Sequence, residues 1–252
     1  MAGLKEAEKR ARDRLCLALD VDSPDKAINL VRELSDYVGV FKVGKELHTA
    51  AGNYGVNIVS DIHLAGGQVF LDLKFHDTPK TVYKASVEAS RADVYMFNLH
   101  VAGGKAMCKA ALEGVEKGHE NSAEDSLPRV IGVTVLTSLD DKDLRVQGLG
   151  ISYNDLVRRR TELARRWGLD GVVCPANKAG ELEKEFGSDF MYVTPGIKWA
   201  GIKGLGQKQL YTPDKAVKDC SNSLLVIGSA IINSRNMKKT SYEILKAMSP
   251  YV

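Results

Sequence analysis

The sequence predicts a single-domain (β/α)8 barrel of the TIM type, on three observations. Eight short runs rich in valine, isoleucine and leucine alternate from end to end with longer amphipathic stretches. The runs are continuously apolar, as expected of parallel strands covered on both faces. Eight such repeats in about 230 residues match the size of this barrel. A doubly wound open sheet is the rival, because strand order cannot be read from one sequence. No Gly-x-Gly-x-x-Gly follows the first apolar run, which weakens a dinucleotide-binding version of that rival.

In chain order, residues 1–14 are rich in Lys, Arg and Glu and read as a helix outside the barrel. Strands are expected at 15–20, 40–43, 69–73, 94–98, 130–135, 171–174, 191–194 and 224–227. Helical patterns fall at 24–37, 55–65, 79–90, 104–117, 154–167, 178–186 and 213–219, with a last helix near 241–248. Ser23 before Pro24 and Thr212 before Pro213 each place a capping residue ahead of a first-turn proline. The polar segment 117–127 reads as a helix end and a solvated loop. No linker or composition shift divides the chain, so residues 1–252 are read as one catalytic domain.

The composition excludes several classes of function. The chain has 252 residues, a net charge of +3 and 44% hydrophobic residues, enough to bury a large core. Charged residues at 27%, with 23 glycines and 7 prolines, argue against disordered, collagen-like or coiled-coil proteins. So small and evenly spread a charge does not suggest nucleic acid as a partner. No apolar run reaches the roughly 18 residues of a membrane span, and residues 1–14 lack the apolar stretch of a secretory signal. A cytoplasmic protein without a membrane partner is expected. Cys16, Cys108, Cys174 and Cys220 lie far apart, with no Cys-x-x-Cys pair and no zinc spacing, so buried thiols are expected rather than disulfides or a metal site.

In a parallel barrel, chemistry gathers at the C-terminal ends of the strands. The first apolar run closes on Asp20, and the second contains Lys42. The third leads into Asp72-Leu73-Lys74-Phe75-His76-Asp77-Thr78-Pro79, the fourth ends at Asn98 and His100, and the fifth runs into Thr134 and Thr137. Regular strand alternation would put the Asp72 and Lys74 side chains on one face. Three carboxylates (Asp20, Asp72, Asp77) and two amines (Lys42, Lys74) then crowd three strand ends. One such pair could be a structural salt bridge; five charges in an enzyme-type fold point to catalysis. Neighbours of opposite sign favour a cationic lysine, a proton donor rather than a Schiff-base nucleophile. Late glycine stretches, Thr194-Pro195-Gly196-Ile197-Lys198, the loop with Gly201, Gly204 and Gly206, and Gly228-Ser229-Ala230, suit a phosphate held by backbone N–H groups.

The run Asp72 to Pro79 is similar to the D-x-K-x-x-D-x-P signature of the orotidine 5′-monophosphate decarboxylase family, with Thr81 also in place. Looser matches are Leu17-Ala18-Leu19-Asp20, Phe41-Lys42-Val43-Gly44, His100-Val101-Ala102-Gly103-Gly104, Val133-Thr134-Val135-Leu136-Thr137-Ser138 and Thr194-Pro195-Gly196-Ile197. The resemblance runs from the first strand to the eighth. It implies cofactor-free, metal-free conversion of orotidine 5′-monophosphate to UMP in pyrimidine biosynthesis. Lys74 would protonate C6, Asp72 would face the leaving carboxylate, and Lys42 would link the ribose to the charged array. Asp20 would bind a ribose hydroxyl, and Thr137 or Ser138 the pyrimidine edge. Pro195, Gly196, Lys198, Gln207, Gly228 and Ser229 would form the phosphate end. The family completes its site from a second subunit, so a homodimer is implied, with Asp77 and Thr81 reaching the partner's site. His76 and His100 are expected to support the site rather than react.

One position departs from that pattern. After the eighth strand the family usually has Gly-Arg, where this chain has Gly228-Ser229, and Lys198 stands where many members have Arg. A hydroxyl and a point charge replace bidentate guanidinium contacts. Two rivals stand beside the decarboxylase, the first resting on a shared D-x-K-x-x-D core and the second on Ser229. One is a Mg²⁺-dependent sugar-phosphate decarboxylase or aldolase of the same superfamily. The other is a non-catalytic barrel that binds a phosphorylated ligand.

Overall fold

The computed structural model describes residues 4–120, 126–199 and 211–252. Its eight strands are β1 (Leu15–Ala18), β2 (Val40–Gly44), β3 (Gln68–Phe75), β4 (Met96–His100), β5 (Arg129–Val133), β6 (Gly171–Val173), β7 (Met191–Thr194) and β8 (Ser223–Ile227). They close in sequence order, every neighbouring pair parallel, with Leu15 opposite Leu225 where β1 meets β8. The expected TIM barrel is therefore present, and the open doubly wound sheet is not.

Inward and outward faces divide the core into two layers. Cys16, Ala18, Val40, Phe70, Met96, Ile131, Val193, Leu224 and Val226 form one cluster drawn from the strands. Leu17, Phe41, Val43, Val69, Phe97, Leu99 and Tyr192 belong to a larger one with the helices. Adjacent residues thus belong to different layers, the period of two expected of a strand. All four cysteines are free thiols buried in this core, and burial raises the Cys108 thiol to about 11.

Twelve helices are assigned among the described residues: α1 (Glu6–Asp13), α2 (Pro24–Leu34), α3 (Lys45–Asn53), α4 (Ile58–Leu64), α5 (Pro79–Arg91), α6 (Gly104–His119), α7 (Asp141–Val146), α8 (Tyr153–Trp167), α9 (Ala176–Phe186), α10 (Pro213–Asp219), α11 (Ser229–Ile232) and α12 (Met237–Met248). The N-terminal helix is α1, and Arg14 at its end donates to the Ser223 and Cys220 carbonyls at 2.9 and 2.6 Å. Three of these helices, α3, α7 and the single turn α11, were not expected from the sequence. In α3 only Leu47 and Ala51 are buried, and in α7 only Leu144, so neither carries an apolar stripe wide enough to read. Ser23 and Thr212 do stand at helix starts before prolines, but neither side chain makes a capping hydrogen bond. The proline itself supplies the start signal there. Among the described residues no helix is long and apolar enough to cross a membrane.

Candidate active site

Three neighbouring strands bring four of the predicted charges together. β1 stops at Ala18, so Asp20 lies just beyond the strand rather than in it. There its Oδ1 accepts from Lys42 Nζ at 3.0 Å. The same ammonium lies 3.3 Å from Asp72 Oδ2, and Lys74 Nζ donates to Asp72 Oδ1 at 2.6 Å. The result is a chain of alternating sign, Asp20–Lys42–Asp72–Lys74. The Lys42 and Asp72 side chains are only 11% and 12% exposed, whereas Lys74 is 28% and Asp20 61% exposed. Burial alone would lower the Lys42 pKa, but Asp72 and then Asp20 outweigh it and hold the ammonium above its ordinary value. The buried centre is tolerable because each charge there has an opposite partner.

Lys74 and Asp72 meet by a route that regular alternation did not predict. Phe70 and Leu71 pair with Met96 and Phe97, but the next matched pair is Phe75 with Leu99. β3 bulges between them, and Lys74 adopts φ +54°, the left-handed region. Such a conformation costs a non-glycine residue roughly 1–3 kcal/mol. The bulge frees the Lys74 N–H from the ladder, and Asn98 Oδ1 accepts it at 2.7 Å. Asn98, 1% exposed, also donates through Nδ2 to Asp72 Oδ1 at 2.7 Å. The sequence reading placed Asn98 only at the end of a strand. Its one legible signal is a carboxamide in an otherwise apolar run.

A cavity of about 530 Å³ opens at this end of the barrel. Asp20, Lys42, Asp72, Pro195, Gly196, Lys198, Gly228 and Ser229 all line it, so eight of the expected site residues share one cavity. Trp199 and Asn233 also line it and were not expected. Lys74 is not in the wall; it reaches the cavity's edge through Asp72. Gly196 has φ +80°, a conformation that glycine adopts freely. A slightly larger hollow, about 570 Å³, lies where strands begin, around Gln68, Tyr95, Arg129 and Asp170. The charged array is at the opposite end, where barrels of this kind carry their chemistry.

Other expected residues stand apart. Asp77 does not join the array: it is exposed, and its Oδ1 accepts from the Thr78 N–H at 2.6 Å. Thr81, also exposed, bonds through its hydroxyl to Thr78 at 3.1 Å. Thr137 and Ser138 follow β5, exposed, and do not line the cavity. Gln207, with Gly201, Gly204 and Gly206, lies outside the described residues. The His76 and His100 rings lie 5.1 Å apart. Burial, followed by the His76 and Lys74 charges, lowers His100 to about 4, so a neutral imidazole flanks the array near pH 7. Among the described residues no set of three His, Cys, Asp or Glu side chains is grouped to hold a metal ion.

The sequence model of the "Orotidine 5'-phosphate decarboxylase / HUMPS family" matches residues 13–244. An orotidine 5'-phosphate decarboxylase of Syntrophotalea carbinolica is 41% identical over 239 residues, 95% of this chain and 96% of the relative. One from Heliobacterium modesticaldum is 38% identical over 242 residues, 95% of this chain and 97% of the relative. The crystal structure of orotidine 5'-phosphate decarboxylase from Lactobacillus acidophilus is similar with a TM-score of 0.79 and 30% identity, covering 93% of this chain and 98% of that one. A family model matching residues 13–244, with near full-length likeness to relatives on both sides, leaves one assignment: the chain belongs to the orotidine 5'-phosphate decarboxylase / HUMPS family.

Proposed function

We propose that the protein decarboxylates orotidine 5′-monophosphate to UMP, a step of pyrimidine biosynthesis in the cytoplasm. The observation that carries this reading is the Asp20–Lys42–Asp72–Lys74 array at the cavity edge. Loss of carbon dioxide from C6 leaves an electron pair with little delocalisation. The site must therefore disfavour charge on the carboxylate and favour it at C6. Asp72, in the cavity wall, faces the departing carboxylate. Two like charges about 4 Å apart repel by roughly 4 kcal/mol at an effective dielectric near 20. Lys74 places an ammonium where negative charge grows and gives C6 its proton as the bond to carbon dioxide breaks. Asp20 and Lys42 hold the ribose side and fix Asp72 between two cations.

Binding of the distant phosphate contributes to the chemical step by excluding water around the array. Lys198, Ser229 and the backbone of Gly196 and Gly228 form the described part of that end, with Gln207 proposed to complete it. Thr137, or its neighbour Ser138, is proposed for the pyrimidine edge, although neither lines the cavity of the described residues. Asp77 and Thr81, exposed and away from their own chain's cavity, are proposed to complete the site of a second subunit in a homodimer. The rival reading is a Mg²⁺-dependent sugar-phosphate decarboxylase or aldolase of the same superfamily. Here the Lys42 ammonium sits between the Asp20 and Asp72 carboxylates, so those two could share a divalent cation only by displacing it.

The test is the loss of the substrate's ultraviolet absorbance on mixing orotidine 5′-monophosphate with purified protein in excess chelator. Undiminished turnover is expected, and no turnover would refute the reading. In the same assay Ser229→Arg should lower KM on the order of tenfold, the scale of one added charge-assisted hydrogen bond, with kcat little changed. An unchanged KM would remove Ser229 from the phosphate end.

A further inference from the structure

Among the described residues, Asn98 is the one wholly buried polar side chain bonded to both Asp72 and Lys74. Between Leu71 and Phe75 the chain of β3 takes four residue steps while β4 takes two, from Phe97 to Leu99. The surplus is absorbed at Lys74, whose left-handed backbone leaves its N–H without a ladder carbonyl. Asn98 Oδ1 takes the place of that carbonyl, 2.7 Å from the Lys74 nitrogen. The opposite end of the same carboxamide, Nδ2, donates to Asp72 Oδ1 at 2.7 Å, the oxygen that also receives Lys74 Nζ. Only one orientation of the amide satisfies both contacts. Turned over, it would set N–H against N–H and oxygen against carboxylate.

We infer that Asn98 is a positioning residue for the decarboxylation: one buried carboxamide fixes the backbone that aims Lys74 and the carboxylate that receives its ammonium. This inference rests on the decarboxylase reading. Asn98 does not line the cavity, so it acts on the substrate only through Lys74 and Asp72. Without the acceptor, the Lys74 backbone is free to relax toward the commoner region and swing its side chain. Without the donor, Asp72 loses the neutral group that fixes its rotation between Lys42 and Lys74. A displacement of about 1 Å at a reacting group is enough to cost roughly 100-fold in rate. Ground-state contacts of ribose and phosphate lie elsewhere in the cavity and are left intact.

The test compares wild type, Asn98→Ala and Asn98→Asp in kcat, KM and affinity for UMP. The aspartate variant keeps the shape and the acceptor for the Lys74 N–H but replaces the donor facing Asp72, and it provides the measurement should the alanine variant fold poorly. Both variants should lose about 100-fold in kcat, with KM and UMP affinity within about threefold of wild type. An active wild type whose variants keep kcat within about threefold, or lose UMP affinity in step with rate, would overturn the inference alone. A wild type that does not turn over orotidine 5′-monophosphate would overturn the decarboxylase reading and this inference with it.

Discussion

Lys74→Ala is expected to lower kcat by roughly 10⁴-fold or more while UMP still binds. Two contributions vanish together. General-acid delivery of a proton contributes about 10²- to 10⁴-fold, and a charge aimed at the developing carbanion a further 10²- to 10³-fold. The fold should survive the change, because Asp72 keeps both Lys42, 3.3 Å away, and the donor from Asn98. Alanine at φ +54° is under the same backbone strain as lysine, so no relief of strain offsets the loss. The absorbance assay reads the rate, and UMP titration reads the intact pocket. Turnover within about tenfold of wild type would remove Lys74 from the proton's path.

Asp72→Ala is expected to damage both rate and stability. Its carboxylate, 12% exposed, receives Lys42, Lys74 and Asn98, and no other described side chain bonds all three. Removing one partner from a buried ion pair costs about 3–5 kcal/mol, because the remaining charge stays desolvated. For a domain of this size that corresponds to a fall in Tm of roughly 6–20 °C, at about 2–4 °C per kcal/mol. Adding Lys42→Met should return part of the lost stability and none of the activity, since a buried charge replaced by an apolar chain no longer needs a partner. An Asp72→Ala protein melting within about 2 °C of wild type would show that the array is more hydrated than its geometry implies.

The barrel was legible because a buried parallel strand needs nothing but a short β-branched run. β7 has the bounds expected from Met191 to Thr194, and the other strands differ only at their ends. The charges were legible for the opposite reason: an Asp or Lys closing an apolar run is expensive, and so is noticed. Asp20, Lys42, Asp72 and Lys74 meet as expected. The bulge in β3 was not legible, because it exists only in the register between β3 and β4, a property of two strands at once. Asn98 escaped for the same reason. Its meaning depends on the N–H that the bulge leaves bare, and on its own it is a polar residue in an apolar run. Helix α3 was missed because Leu47 and Ala51 are too few to mark a face. Asp77 was grouped with the array by its nearness in sequence, yet it lies past the end of β3, exposed, with its carboxylate on the Thr78 N–H rather than on a lysine.

The central claim is that the Lys74 ammonium, held by Asp72 and supported by Asn98, stands at the carbon that loses carbon dioxide. A crystal structure with UMP bound tests it most directly. The account predicts Lys74 Nζ within about 3.5 Å of C6, close to hydrogen-bond reach, with Asp72 beside the vacated carboxylate position. A nucleotide seated in the cavity with Nζ more than about 6 Å from C6 would contradict it, since no proton could then pass directly between them.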